Sequence, residues 1–221
     1  AQVQQAVRLA AQSLAQLGAA WVLEVSHMGY LFGLFDALGV PENARPGLLE
    51  KLREKNAHEL RRAAQAAGLD AAGTAALTGL LEVSGSCEET LAKAESACRN
   101  ERMRAAAAEL RALAKTLEAS GGAVRLDLSL AGEMEYYNGL VFQGYLQGLP
   151  RPLLKGGRYD LLMQKFTPGA GAIGFAVYLD ELDRLSAPTP PVQRNSTGRV
   201  MLNVALPKGR LGDKMYDLLA R

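Results

Sequence analysis

The stretch EYYNGLVFQGYLQGLPRPLLKGGRYD, from Glu135 to Asp160, decides the fold of this chain. It contains four of the seven tyrosines, an alternating apolar segment, a proline-rich turn and a Gly-Gly-Arg-Tyr-Asp element. The segment YYNGLVFQGYL predicts a strand, QGLPRP predicts a turn, and PLLKGGRYD predicts a returning strand. Strands joined by so short a connection run antiparallel. We therefore expect an antiparallel sheet with tyrosines clustered near one end of a strand.

Segments outside this hairpin add strands to the same sheet. VRLDLSL, Val124 to Leu130, alternates strictly between apolar and polar residues, as a half-buried strand does. WVLEVSH, Trp21 to His27, predicts another strand, and AIGFAVYLDELDRL, Ala172 to Leu185, predicts a strand that runs into a short helix. Strands that follow one another with short connections favour an antiparallel sheet over a doubly wound parallel one.

Helices make up most of the remaining sequence. Apolar residues recur at helical spacing between Val3 and Leu17 and again between Met103 and Leu117. The segment from residue 41 to about residue 100 is rich in alanine and in charged helical faces, without an alternating segment. It predicts a helical insertion in the sheet domain. The expected fold class is therefore α+β.

The C-terminal part of the chain has a different composition. SAPTPPVQRNSTG, Ser186 to Gly198, contains three prolines and almost no apolar residue, which is typical of a linker. We expect a sheet domain over residues 1–186, a linker over 187–200 and the start of a second domain over 201–221.

Bulk composition excludes several classes of protein. Hydrophobic residues make up 48% and charged residues 22%, as in an ordinary soluble domain, and the formal charge is only +2. So small a positive excess does not indicate the clustered basic surface that non-specific nucleic-acid binding needs. With two histidines in the chain, Cys87 and Cys98 predict partly buried reduced thiols and not a zinc site. No signal peptide, membrane span or cofactor is expected, and the predicted location is the cytoplasm.

Two adjacent tyrosines raise the question of a ligand pocket. In an ideal strand, alternation would turn only one of Tyr136 and Tyr137 toward a pocket, unless a bulge re-aims the other. A tyrosine hydroxyl donates and accepts hydrogen bonds, which suits an amino acid or an imidazole. Half-buried tyrosines are also common in strands that bind nothing.

The Gly-Gly-Arg-Tyr element is a more specific signal. Gly156 and Gly157 would allow a close approach of backbone or ligand, because the preceding turn is already supplied by QGLPRP. Arg158 could hold a carboxylate or a phosphate through its planar guanidinium, or it could pair with Asp160.

Three motifs carry a resemblance to a known family. EYYNGLVFQGY, LLKGGRYDLL and GAIGFAVYLDEL, in this order and spacing, resemble the histidine-binding strands and the third signature motif of histidyl-tRNA synthetase. The resemblance covers roughly residues 1–185 and implies a class II aminoacyl-tRNA synthetase-like fold. It also implies a site for a histidine-like ligand at Tyr136, Tyr137, Gly139, Gly156, Gly157, Arg158 and Tyr159.

The chain departs from the synthetases at two positions that matter for chemistry. The resemblance places an arginine four positions before the first tyrosine, where this chain has Gly132. It places a second arginine, which grips nucleotide phosphates, after Asp180, where this chain has Glu181. Formation of an adenylate depends on positioned cations, and a carboxylate in a phosphate site would add repulsion. We therefore expect that this chain does not activate histidine and has no catalytic residues of its own.

A second family has the same fold without the catalytic arginines, and the chain resembles it too. It is the regulatory subunit of ATP phosphoribosyltransferase, the complex that opens histidine biosynthesis by condensing ATP with phosphoribosyl pyrophosphate. The tail segment LNVALPKGRLGDKMYDLL, Leu202 to Leu219, resembles the beginning of the short-form catalytic subunit of that enzyme. There, the resemblance implies phosphate or nucleotide binding at Lys208, Gly209 and Arg210.

These resemblances imply partners and leave alternatives. The expected partners are the catalytic subunit, histidine as a small-molecule effector and further copies of the chain, with no tRNA and no membrane. Since the first two class II motifs have no counterpart, we expect a fragment of a longer chain that self-associates when isolated. The alternatives are a divergent histidyl-tRNA synthetase and a non-functional remnant of a truncated gene.

Overall fold

One sheet of six strands organises the part of the chain that the structure describes. The computed structural model describes residues 2–117, 123–132 and 136–186. Its strands are β1 Trp21–His27, β2 Ser84–Ser86, β3 Ala123–Asp127, β4 Leu140–Leu146, β5 Leu154–Arg158 and β6 Ile173–Val177. Its α-helices are α1 Gln2–Ala15, α2 Met28–Ala37, α3 Arg45–Arg53, α4 Ala57–Ala66, α5 Ala71–Gly79, α6 Cys87–Ser96, α7 Glu101–Leu117, α8 Asp160–Gln164 and α9 Leu179–Ser186.

The strand order is β2-β3-β1-β4-β5-β6, and all neighbours are antiparallel except β1 and β3. The expected mainly antiparallel sheet is thereby confirmed. β3 and β4 follow one another in the sequence but are not neighbours in the sheet, because β1 lies between them and runs parallel to β3. A parallel pair requires a long crossover, and the helices from α2 to α7 supply it.

One face of the sheet is covered by helices α1 and α7. Leu23 on β1 and Gly144 on β4 face each other across the strands, and a Cβ on Gly144 would lie 2.7 Å from Leu14 of α1. The α1 helix can approach the sheet so closely because β4 carries no side chain there. Directly opposite partners share a face, so Glu24 and Gln143, the next pair along, point to the other face.

Helix α2 begins directly at the end of β1, and His27 caps it. The backbone N–H of Gly29 donates to Nδ1 of His27 over 3.0 Å. Residues Met28 to Phe35 are all buried, and α2 packs against α7, where a Cβ on Gly33 would lie 2.7 Å from Cγ of Met103. This packing fixes the end of β1 next to α7.

Residues 41–100 contain four α-helices and one short strand. The sequence predicts no strand there, whereas β2 pairs with β3. Its three residues, Ser-Gly-Ser, are too few to show alternation. The turn between α3 and α4 is tied to the sheet by Lys55, whose Nζ lies 2.6 Å from Oδ2 of the buried Asp127. Among the described residues, none of the helices has both the length and the apolar character that a membrane crossing needs.

Candidate functional site

A cavity of about 510 Å³ lies over the ends of β4, β5 and β6. Its lining includes four tyrosines, which are Tyr136, Tyr137, Tyr159 and Tyr178. It also includes Gln143 and Lys155, a cross-strand pair on the sheet face that α1 and α7 leave uncovered. The cavity therefore combines aromatic walls with a polar floor.

Both adjacent tyrosines line the cavity. Strand β4 begins only at Leu140, so Tyr136 and Tyr137 precede it and are not subject to the alternation that was expected to separate them. Their ring centroids are 4.6 Å apart with an edge-to-face geometry, and the ring of Tyr136 lies 5.3 Å from that of Tyr159. Such aromatic pairs stabilise one another beyond the area that they bury.

The ring of Tyr137 lies between two glycines. A Cβ on Gly132 would be 2.5 Å from Cδ2 of this ring, and a Cβ on Gly157 would be 2.5 Å from Cδ1. Real Cβ atoms do not approach other atoms so closely. The ring can occupy this position only because both residues lack a side chain.

Gly156 and Gly139 have different roles in the site. Gly156 lines the cavity, and a Cβ there would meet the carbonyl oxygen of Gly174 and the ring of Phe142, each at 2.5 Å. Gly139 lies against Arg158, since a Cβ there would be 2.8 Å from Cδ of the arginine. Gly139 and Gly157 do not belong to the lining itself.

Arg158 is held in ion pairs beside the site. Its Nε donates to Oδ2 of Asp160 over 2.6 Å, and its Nη1 lies 3.7 Å from Oε1 of Glu109. Of the two roles expected for Arg158, the structure shows the internal pair with Asp160, and the guanidinium does not line the cavity. Asp160 also accepts from the backbone N–H of Ala172, which ties the segment before β6 to the start of α8.

Glu109 and His27 continue the ion-pair network of Arg158. Nε2 of His27 lies 2.9 Å from Oε2 of Glu109. Because Nδ1 accepts from Gly29, neutral His27 carries its proton on Nε2 and donates it to Glu109. The hydrogen bond from His27, aided by the charge of Arg158, holds the pKa of Glu109 below its ordinary value. No local sequence pattern predicts this contact, which joins residues 82 positions apart.

Two basic residues of the lining were not predicted as site residues. They are Arg53, at the end of α3, and Lys155, in β5. Lys155 could have been found, since strand alternation places it on the same face as its partner Gln143. Arg53 could not, because it belongs to a charged helix of the insertion and only tertiary packing brings it to the cavity.

Glu181 lies in a different environment from the one expected. Its side chain is buried in α9, 3.3 Å from Nη1 of Arg184 and 4.0 Å from Nη1 of Arg151. It does not belong to the cavity lining. The carboxylate lies outside the cavity and within ion-pair distance of two arginines, so the geometry does not show the expected repulsion of a polyanion there.

The remaining site residues lie beyond what the structure describes. Lys208, Gly209 and Arg210, with the linker over 187–200, fall outside the described residues. Within the described ranges, no three His, Cys, Asp or Glu side chains are grouped so that they could hold a metal ion.

Comparison with known proteins places this geometry in a family. A family model described as histidyl-tRNA synthetase matches residues 1–182. The ATP phosphoribosyltransferase regulatory subunit of Shouchella clausii is 40% identical over 162 residues, which is 72% of this chain and 40% of that protein. The chain thus spans about two-fifths of the length of this relative.

Solved structures agree with the expected class II synthetase-like fold. A crystal structure of an ATP phosphoribosyltransferase regulatory subunit/histidyl-tRNA synthetase from Bacillus halodurans C has a TM-score of 0.74 and 32% identity, over 82% of this chain and 49% of that chain. The ATP phosphoribosyltransferase complex of Thermotoga maritima has a TM-score of 0.59 over 79% of this chain and 61% of that chain, and at 17% identity this likeness concerns the fold alone. The chain belongs to the histidyl-tRNA synthetase family.

Proposed function

We propose that this chain acts as a non-catalytic part of a regulatory subunit of ATP phosphoribosyltransferase, the first enzyme of histidine biosynthesis. The name of the relative from Shouchella clausii supports this proposal. The observation that carries it is the ring of Tyr137, which occupies the space that any side chain at Gly132 would need. The synthetase resemblance places an activating arginine at that position.

The missing arginine bears directly on chemistry. Adenylate formation builds up negative charge that preorganised cations must stabilise, and removing one such donor costs roughly 100- to 1,000-fold in rate. Gly132 supplies no cation, and the position after Asp180 holds a carboxylate paired with arginines. The same fold therefore suits binding without activation.

One pair of assays separates the proposed function from a divergent histidyl-tRNA synthetase. The polypeptide, expressed in its native reading frame, is tested for histidine-dependent exchange of pyrophosphate into ATP, and is then added to the short-form catalytic subunit. We expect no exchange and a faster formation of phosphoribosyl-ATP. Histidine-dependent exchange would establish the synthetase instead, and neither activity would indicate a non-functional remnant.

We further propose that the cavity is a histidine site through which the complex is inhibited. Tyr136, Tyr137 and Tyr159 offer ring faces and hydroxyls to an imidazole, Gly156 lines the cavity beside them, and Gly157 leaves room for the ring of Tyr137. Arg158 and Gly139 support this wall from behind.

Thermal unfolding tests this site, because a ligand that binds the folded state raises the melting temperature. Millimolar histidine should raise it for the unmodified chain and should have no effect on Tyr137→Ala. Tyr30→Phe is the control, since Tyr30 is buried and donates to the carbonyl of Ala94, away from the cavity. A shift that persists in Tyr137→Ala would place the histidine site elsewhere.

The catalytic subunit is the proposed partner, and residues 201–221 support this through their resemblance to its beginning. In this proposal Lys208, Gly209 and Arg210 bind a phosphate-bearing ligand, and residues 187–200 connect the two parts. Co-purification with the catalytic subunit tests the assembly. Binding of phosphoribosyl pyrophosphate that Lys208→Met abolishes would support the tail site, and binding unaffected by Lys208→Met would contradict it.

A further inference from the structure

We propose that the cavity selects ligands by an anionic group, a carboxylate or a phosphate, which is held between Arg53 and Lys155. This inference rests on the proposed function in that it assigns recognition of the ligand's charge at the same site. It also makes the helical insertion part of that site, because Arg53 comes from α3.

Lys155 occupies a defined place on the cavity floor. In the sheet register it lies between Gln143 on β4 and Ala176 on β6, and all three residues line the cavity. Residues opposite one another across neighbouring strands share a face, so the lysine side chain leaves β5 on the cavity side. Its ammonium group is a compact charge on a flexible stem that can follow a ligand.

Arg53 is positioned from the other side by the packing of α3. The residue before it, Leu52, is fully buried together with Leu48 and Leu49. Two residues after it, Lys55 binds Asp127 at 2.6 Å and so ties the helix end to β3. The backbone that carries Arg53 is therefore fixed, while its guanidinium remains exposed and can bind a carboxylate or phosphate with two parallel hydrogen bonds.

The charges around the cavity favour an anion. Among the described residues of the lining, Arg53 and Lys155 carry the charge, and no carboxylate accompanies them. The nearest acids along the sheet are engaged elsewhere, since Asp127 accepts from Ser129 and Lys55. Burial, with the charge of Asp127, raises the pKa of Glu24, which favours its neutral form. Two cations beside four tyrosines therefore suit an aromatic or heteroaromatic ring with a negatively charged substituent.

Matched pairs of small molecules test this inference by isothermal titration calorimetry on the whole chain. Histidine is compared with histamine, which lacks the carboxylate, and AMP is compared with adenosine, which lacks the phosphate. We expect the anionic member of one pair to bind at least about 10-fold more tightly, and Arg53→Met or Lys155→Met to remove most of that advantage. Binding of the uncharged member should not change.

Controls and outcomes separate this inference from the histidine proposal. Arg61→Met removes an exposed arginine of α4 outside the lining and should leave all affinities unchanged. Histidine binding that is insensitive to Arg53→Met and Lys155→Met would overturn this inference and leave the histidine site standing. Binding of AMP but not of histidine, if these variants weaken it, would support this inference and contradict the histidine site. Failure of both anions to bind would overturn both.

Folding of the variants is checked by their melting temperatures. Both side chains are exposed, so their replacement should leave the fold intact. Arg53→Gln, which keeps hydrogen-bonding capacity without charge, serves as a second variant and should lose the preference for the anion to a similar extent. A preference retained in Arg53→Gln would overturn the role of charge.

Discussion

Tyr137 shows at the scale of one residue how the site depends on absent side chains. Its ring contacts Gly132 on one side and Gly157 on the other. Replacing either glycine by alanine would therefore displace the ring of Tyr137, which forms part of the cavity wall. Gly157 is the sharper test of the two, because a Cβ there would also be 2.8 Å from the carbonyl oxygen of Leu140, which belongs to the backbone and cannot rotate away.

Gly157→Ala should destabilise the chain by about 1–3 kcal/mol through overpacking, and should weaken ligand binding as the ring of Tyr137 is displaced. Urea denaturation and calorimetry measure the two effects. Gly47→Ala is a matched control, since a Cβ at this position of α3 meets nothing within 4 Å. It should be neutral or stabilise by up to about 1 kcal/mol, because alanine favours a helix. Equal stability of both variants would contradict the packing described for Tyr137.

Glu109 gives a prediction about pH. The pKa of this carboxyl is lowered in the folded state by the hydrogen bond from His27 and by the charge of Arg158. A lowered pKa stabilises the folded state at pH values above the ordinary value of 4.5, and this contribution is lost as the pH falls through the folded-state pKa. Glu109→Gln should therefore cost about 1 kcal/mol at neutral pH, and less in acid.

Urea denaturation of both proteins between about pH 3 and pH 7 measures this difference. The exposed Glu82, replaced by Gln, is the control and should show the same pH dependence as the unmodified chain. A cost for Glu109→Gln that stays constant across the range would show that the carboxylate charge contributes nothing.

Part of the candidate site was predictable from the sequence. Tyr136, Tyr137, Tyr159 and Gly156 could be predicted, because a tyrosine pair and a Gly-Gly-Arg-Tyr element are local patterns that a hairpin brings together. Tyr178 and Lys155 follow from alternation once the strands are known. Arg53 and the contact of His27 with Glu109 depend on how distant helices pack, and no local pattern records that.

At the scale of elements, the turn between α3 and α4 joins the insertion to the sheet. Lys55 adopts a positive φ of 52°, which few residues other than glycine accept, and reaches Asp127 in β3. Asp127 also accepts from the backbone and the hydroxyl of Ser129, at 2.9 and 2.6 Å. One buried carboxylate therefore organises two elements.

Asp127→Ala should destabilise the chain by about 2 kcal/mol, because it leaves buried donors of Ser129 without an acceptor. It should also accelerate hydrogen exchange of the amides in α3 and α4 and weaken the contribution of Arg53 to binding. Glu54→Gln, which removes the exposed pair with Lys51, is the control and should change neither measurement appreciably. Unchanged exchange in α3 and α4 would show that the insertion is held by apolar packing alone.

The helices and strands themselves were largely predictable from the sequence, whereas the order of the strands in the sheet was not. β1, α7 and the hairpin of β4 and β5 follow from periodicity and turn residues. The position of β1 between β3 and β4 does not, because pairing across a long crossover is decided by packing and not by the pattern of either strand. β2 was missed for the simpler reason that three residues show no period.

At the scale of the molecule, the end of the described sheet at β6 exposes apolar residues. β6 pairs with β5 on one side, and the exposed fractions of Val177 and Leu179 are 38% and 68%. An unpaired strand edge next to apolar side chains favours association of chains.

Val177→Lys should shift the isolated chain toward the monomer in sedimentation velocity experiments at micromolar concentration, because a charge on an edge strand opposes pairing. Leu17→Lys, at an exposed position after α1, is the control and should leave the distribution unchanged. A similar shift from both substitutions would indicate a general gain in solubility, and no association in the unmodified chain would contradict the prediction outright.

The fit of Tyr137 between its two glycines has a consequence for inheritance. Any glycine codon becomes an arginine codon through a change of its first base, so an arginine at position 132 is always one mutation away. That mutation alone yields a side chain whose Cβ collides with the ring at 2.5 Å. A chain with this fit would need a second change, one that moves the ring of Tyr137, before it could hold an arginine at position 132.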